Sequence, residues 1–222
     1  MYTLAFDTTG AGCGIALADK DKILSEFEKE AEFGQAEILM PQIQKMLQEQ
    51  SLSFQDLGAL FVCVGPGSFT GVRSSIAAAR VFGFAAPELK LSGVTAFEAY
   101  LATLSEEEIA DKNAVIIETR RDDFYVQIFD RKLQNLTEPM AVSYEEALKF
   151  LKKDGCLVSL VGDGVERFLD RPSGLTLHAI KMYDVLPIRA LMKAGQALLK
   201  EKKLNYPKPL YLRAPDVTIP AK

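Results

Sequence analysis

Asp7-Thr8-Thr9-Gly10 places a carboxylate, two hydroxyls and a glycine at the end of a short apolar run, types able to face a phosphate or its magnesium ion. The same residues also make a plain turn, in which Asp and Thr bond nearby amides; the tetrapeptide alone favours that reading. Gly65–Gly71, GPGSFTG, is more specific. Pro66 fixes φ, Gly65 and Gly67 let amides turn to one side, and Ser68 or Thr70 can cap the following helix. Its free amides are then ready for an anion. No lysine follows the last glycine, so this is not a Walker loop, and a tight turn that packs two lobes is an equal alternative. Arg73 falls in the first turn of that helix, against the macrodipole, and so asks for an anionic partner within the chain or on a ligand. Arg120-Arg121-Asp122-Asp123, between two apolar stretches, either offers two guanidiniums to phosphate or forms a charged hairpin turn with Asp in the left-handed conformation. The turn is preferred.

Other chemistry is excluded by counting. His178 is the only histidine in 222 residues, so no site needing two imidazoles exists within one chain, and zincin-type HExxH hydrolysis is ruled out. A Ser–His or Cys–His pair would have to use His178, which sits where a turn leads into a strand and reads as structural. Cys13, Cys63 and Cys156 are scattered and odd in number, as buried thiols in a reducing compartment would be. A net charge of −4 supplies no global basic field for nucleic acid. MYTLAFDTTG lacks the basic and long apolar regions of a signal peptide, and the most apolar window, Ile76–Pro87, is too short for a bilayer. A cytoplasmic protein with no membrane partner is expected.

The elements that must hold these residues follow from periodicity. Residues 2–6 read as a strand ending at Asp7, Ile15–Ala18 as its hairpin partner and Ile23–Glu28 as a third strand. Gln35–Glu49 is an amphipathic helix and Leu57–Val64 a buried parallel strand. Thr70–Ala86 forms a helix apolar nearly all round and rich in small residues, which must be buried in the core or against another chain. Lys90–Val94 is a strand, Ala96–Leu104 a short helix, and Glu106-Glu107-Glu108 a solvated helix start. A lobe boundary falls here, dividing 1–104 from 105–222. The second half restarts with strands at Ala114–Glu118, at Phe124–Asp130 and from Leu133 onward. A helix at Tyr144–Lys153, a strand at Leu157–Val161 and a long helix at Pro187–Lys202 follow, and then a proline-rich tail extended over the surface. Two halves that both open strand–turn–strand imply a duplicated α/β lobe.

Taken in order, Leu4–Thr9 (LAFDTT), Gly65–Ser75 (GPGSFTGVRSS), Val161–Gly164 (VGDG) and Pro209–Arg213 (PLYLR) resemble the TsaB family, also called YeaZ, over essentially the whole chain. The resemblance implies a two-lobed actin/Hsp70-like (ASKHA) fold. It implies a non-catalytic subunit in making N6-threonylcarbamoyladenosine at position 37 of tRNAs that read ANN codons. The partners would be a TsaD-like catalytic subunit, a TsaE-like ATPase reached through the complex, a second copy of the chain, and tRNA mainly through the complex. No cofactor is expected on this chain alone, with ATP or ADP in the assembled complex. Residues expected to face phosphate or nucleotide are Asp7, Thr8, Thr9, Gly65, Gly67, Ser68, Gly71, Gly162 and Gly164. The partner face is expected on the two first-lobe helices at Ile38, Leu39, Gln42, Arg73, Ala77, Ala78 and Phe82. Three departures stand out. Ala96-Phe97-Glu98-Ala99-Tyr100 occupies the place of a metal-binding H-x-x-x-H stretch, Gln35-Ala36-Glu37 that of His-Ser-Glu, and Glu118-Thr119-Arg120 that of Asp-Ala-Arg. No catalytic iron or zinc is therefore expected. The alternative function is an autonomous ATPase or phosphotransferase on the same fold, for which no catalytic base is evident.

Overall fold

The computed structural model describes residues 1–30, 34–152 and 155–213, with the side chains of Gln35 and Ala36 also outside the description. β1 (Tyr2–Asp7), β2 (Gly12–Asp19) and β3 (Lys22–Glu30) form an antiparallel meander in which Phe6 faces Ile15 and Leu17 faces Ser25. α1 (Gln35–Glu49) leads to β4 (Leu57–Cys63), parallel to β1, and α2 (Phe69–Ala85) leads to β5 (Lys90–Val94), parallel to β4. α3 (Ala96–Leu101) closes the first half.

The second half repeats the plan: β6 (Lys112–Glu118), β7 (Asp123–Asp130), β8 (Met140–Ser143), α4 (Tyr144–Lys152), β9 (Leu157–Gly162), α5 (Val165–Leu169), β10 (Thr176–Met182) and α6 (Ile188–Lys200). The sheet orders are β3-β2-β1-β4-β5 and β8-β7-β6-β9-β10. The pairing senses match strand for strand, antiparallel through the meander and parallel beyond it. The expected duplication is thus present in topology.

Strand alternation sorts the side chains into layers. Leu4, Phe6, Leu60 and Val62 join Leu39 and Ile43 of α1 and Ile76 and Phe82 of α2 in one core. Their neighbours Ala5, Phe61 and Cys63 point the other way, into a core shared with α3, α6 and the inner face of the second sheet at Val115, Ile117 and Val161. Ala114, Ile116 and Val126 pack outward with α4 and α5. α6, although it follows the second sheet, lies on the first, against β1, β2, β4 and β5. One continuous core therefore runs between the sheets and fixes how the halves face each other.

The structure corrects three local expectations and adds one short helix. No strand starts at Leu133, because the Asp130 carboxylate accepts the N–H groups of Lys132 (2.7 Å) and Gln134 (2.9 Å) and folds the chain into a turn; the next strand is β8. In the Arg120–Asp123 turn the left-handed residue is Arg120 (φ 57°), not an aspartate, since the Glu118 carboxylate bonds the Arg120 N–H. Glu108 is not merely solvated: it pairs with Lys181 of β10 at 2.8 Å, and that hydrogen bond holds its carboxyl down at about 2. α5 has only five residues, too few to display a period. The tail has no helix or strand from Lys203 to Tyr211 and bends at Leu212 and Arg213, and its remaining residues, like Lys153, lie outside the described ones.

Candidate functional site

The two sheets converge on a cleft of about 620 Å³ between the halves. Its walls come from corresponding turns. β1 ends at Asp7 and β6 at Glu118, each followed by threonine, while Val64-Gly65-Pro66-Gly67 follows β4 and Val161-Gly162-Asp163-Gly164 spans the end of β9. Thr9, Gly10 and Pro66–Ser68 line one side, and Glu118–Arg120 and Asp163 the other.

The first-lobe turns are held chiefly by each other. Asp7 is 5% exposed, and its carboxylate accepts the Thr9 N–H at 2.7 Å. Burial pushes its pKa up, with the Thr9 bonds pulling the other way. Thr8 is fully buried: its N–H donates to Ser75 Oγ at 3.1 Å and its hydroxyl to the Gly71 carbonyl at 2.8 Å. The Thr9 hydroxyl lies 3.3 Å from Cys63 Sγ. Ser68 donates its N–H to the Thr9 carbonyl at 2.7 Å and caps α2 by accepting the Gly71 N–H at 3.2 Å. A Cβ at Gly71 would lie 1.9 Å from the Thr8 carbonyl oxygen, so glycine is what lets α2 start this close to β1. Asp7, Thr8 and Gly71 thus stay out of the cleft, and the expected phosphate-facing residues Thr9, Gly67 and Ser68 line it. Gly65 sits behind them with φ +97°.

The second-lobe turn carries more chemistry. Gly162 adopts φ +135° with its Cα against the Ile116 carbonyl, where a Cβ would lie 2.1 Å away. With Gly164, whose N–H donates to the same carbonyl at 3.0 Å, it serves to present Asp163. The Asp163 carboxylate accepts the Glu118 N–H at 2.9 Å and faces the buried Tyr100 hydroxyl. Burial pushes its pKa up to about 7, the Glu118 charge adds to this, and the hydrogen bonds oppose it. Glu118 is gripped by Arg167, Nε to Oε2 at 2.6 Å and Nη2 to Oε1 at 2.8 Å. Burial works to raise its pKa, but Arg167 and the backbone bonds hold it below the ordinary range. A group titrating near neutrality in a cleft is suited to proton transfer. Periodicity gave no hint of Asp163; the signal was the repeated V-G-x-G at the ends of β4 and β9.

Glu30, Glu118, Asp163, Glu166 and Asp184 line the cleft against one guanidinium, Arg120, among the described residues. Ala96 and Tyr100, where the resemblance implies a pair of metal-binding histidines, both line it, but Ala96 has no donor atom, and a metal site of that type does not fit. Among the described residues no three His, Cys, Asp or Glu side chains cluster to hold a metal. Cys13 and Cys63 are buried, which pushes the first thiol up to about 11 and the second well above its usual range. His178 is exposed on β10 and pairs with the Glu107 carbonyl at 2.7 Å, a structural contact.

On the other face of the first sheet, α1 and α2 divide the expected partner residues. Ala77 and Arg73 are exposed, and Ile38, Gln42 and Ala78 half-buried. Leu39 and Phe82 are core residues, 1% and 7% exposed, with Phe82 stacked on Phe54 at 4.9 Å; they offer nothing to a partner. The exposed apolar strip is instead Ala77, Val81 and Phe84, the last two 62% and 90% exposed. α2 is therefore not buried all round. Among the described residues Arg73 finds a tyrosine and a ring rather than a carboxylate, with Nε 3.2 Å from the Tyr211 hydroxyl and the guanidinium 3.7 Å over Phe69.

Two duplicated lobes with corresponding turns facing one cleft define the actin/Hsp70-like (ASKHA) fold class. An inorganic polyphosphate/ATP-glucomannokinase from Arthrobacter shares it at a TM-score of 0.51 and 11% identity, covering 90% of this chain and 99% of that one. The family described as TsaD: tRNA N6-adenosine threonylcarbamoyltransferase matches residues 29–176. The tRNA threonylcarbamoyladenosine biosynthesis protein TsaB of Escherichia coli is 28% identical over 96% of this chain and 95% of its own. The structure of YeaZ from Pseudomonas aeruginosa superposes with a TM-score of 0.77 at 22% identity, covering 95% of this chain and 99% of that one. The chain belongs to that TsaD-type family, in its TsaB (YeaZ) branch.

Proposed function

We propose that this chain is a non-catalytic subunit of a cytoplasmic assembly that forms N6-threonylcarbamoyladenosine on tRNA, docking a TsaD-like transferase through α1 and α2. The observation that carries the reading is the exposed strip Ala77–Val81–Phe84 on a helix whose opposite side is core, in a chain that aligns with TsaB end to end. Apolar side chains this exposed on a small-residue helix suit a close helix-to-helix contact. The same strip suits a second copy of the chain. A TsaE-like ATPase and tRNA would be reached through the assembly, and nucleotide through its shared surfaces. Co-expression with the TsaD-like partner tests this. Ala77→Arg should leave a folded chain that no longer co-purifies with the partner, and unchanged co-purification would refute the placement.

A second reading, an autonomous ATPase or phosphotransferase, draws on Asp163, which supplies the base the sequence lacked. The carboxylates around it oppose an unescorted triphosphate. Calorimetric titration of the isolated chain with magnesium-ATP separates the two: micromolar binding favours the second.

A further inference from the structure

Beyond the carboxylate-lined cleft lies a chamber of about 350 Å³ with the opposite chemistry. The two share Pro66, Gly67, Thr119 and Tyr125, so they are sections of one groove. The chamber is roofed by the C-terminal segment. Asn205 is tied to Ser92 and Gly93, the Pro207 carbonyl to Arg80 (2.8 Å), and the Leu210 N–H to the Val64 carbonyl (2.8 Å). Arg213 then pairs with Asp123 of β7. The segment thus straps the first lobe to the second and brings Tyr211 and Arg213 to residues of both.

The result is a set of rings and guanidiniums. Phe69 and Tyr211 sit 5.2 Å apart with Arg73 against both. The Arg213 guanidinium lies 5.4 Å from the Tyr125 ring, and Arg121 is close enough to depress Arg213 further, after burial has already done so. Arg213 is balanced by Asp123; Arg73 has no carboxylate partner among the described residues. Aromatic faces that offer stacking, flanked by guanidiniums that offer charge-assisted bonds to oxyanions, match a planar base carrying a phosphate. We propose that this chamber binds a nucleotide unit, its base against the Tyr125 and Tyr211 rings that line it and its phosphate on Arg121. The carboxylates of the adjoining cleft keep the phosphate on the arginine side. The choice of RNA rather than a free nucleotide as the source rests on the proposed role in tRNA modification; the chemistry of the chamber does not.

The test uses the full chain and four probes: a labelled oligoadenylate of about seven nucleotides, within the usual single-strand site size, and AMP, inorganic phosphate and hexaglutamate. The oligonucleotide should bind with an affinity that falls with salt. Tyr211→Leu and Arg121→Gln should each weaken it by roughly fivefold or more, as loss of one stacked base or one phosphate contact would. Arg121→Gln should also lower the salt slope by about 0.7. Circular dichroism and thermal unfolding confirm that both variants fold, and Lys149→Gln on α4 serves as a remote control. Tenfold or tighter binding of the oligonucleotide than of AMP assigns the site to RNA, and parity assigns it to a free nucleotide. The proposal is overturned if neither binds at millimolar concentration, if the variant combining both substitutions binds as well as wild type, or if hexaglutamate or phosphate competes as well as AMP. Arg121→Gln should still co-purify with the transferase partner, so loss of RNA binding and failure of the assembly are separate results.

Discussion

Replacing Asp163 by asparagine should remove a pH dependence of stability near neutrality. The carboxyl holds its proton up to about pH 7 in the folded chain, against an ordinary value of 3.8, chiefly because it is buried. Between those values the folded state binds the proton that the unfolded state has released, so this group's contribution falls steadily as pH rises and levels off above 7. The gap of about 3 pH units corresponds to about 4 kcal/mol as an upper bound, and roughly half that once water reaches the cleft side of the carboxylate. The substituted amide would still accept the Glu118 N–H, now bonded at 2.9 Å, but it cannot ionise. Urea unfolding from pH 4 to 8.5 should therefore show the two proteins close together at pH 4. The Asp163→Asn variant should be about 2–4 kcal/mol more stable, relative to wild type, at pH 8. Acid loss through Glu108, whose pKa near 2 is set by Lys181, is common to both and cancels in the difference. A difference that stays flat to within about 0.5 kcal/mol across the range would refute the burial argument.

Gly71→Ala forces a Cβ onto the Thr8 carbonyl oxygen; a loss of about 1–3 kcal/mol, seen as a thermal midpoint lowered by roughly 4–8 °C for the middle of that range, should result. Arg167→Met strands Glu118 beside Asp163 with its bidentate partner gone. It should cost about 1–3 kcal/mol in denaturant unfolding at pH 7 and less at pH 4, where Glu118 takes up a proton. Phe82→Glu puts a charge into the Phe6–Phe54 cluster and should give insoluble or unfolded protein, whereas Phe84→Ser should give a well-folded chain that self-associates less in sedimentation.

What the sequence disclosed follows from where the physics is local. Periodicity placed α1 and β5 at their observed ends, because one-sided burial writes itself into spacing. It failed at Leu133, where one aspartate side chain overrides the local strand pattern. The resemblance put Leu39 and Phe82 on the partner face, where they are core residues, since both interface and core residues of a helix are apolar and only the sheet beneath decides between them. The clefts were less legible still. Asp163 depends on Tyr100 and Glu118, which are distant in sequence, and the arginine chamber exists only because residues 203–213 return across both lobes.

The duplicated turns explain why one cleft has two characters. In both halves a glycine-rich turn follows the first parallel strand of the crossover, so each lobe can bring backbone close to the space between them. The first lobe encloses its acid: Asp7 is folded onto Thr9, and Thr8 is spent binding Gly71 and Ser75. The second lobe sets its acid on the other turn: Gly162 and Gly164 press on Ile116 so that Asp163 stands in the cleft. Corresponding turns therefore carry different groups: Pro66 in the first lobe answers to Asp163 in the second, and buried Asp7 answers to Glu118. Under the proposed role, that asymmetry fits a chain that works through the α2 strip and the strapped chamber.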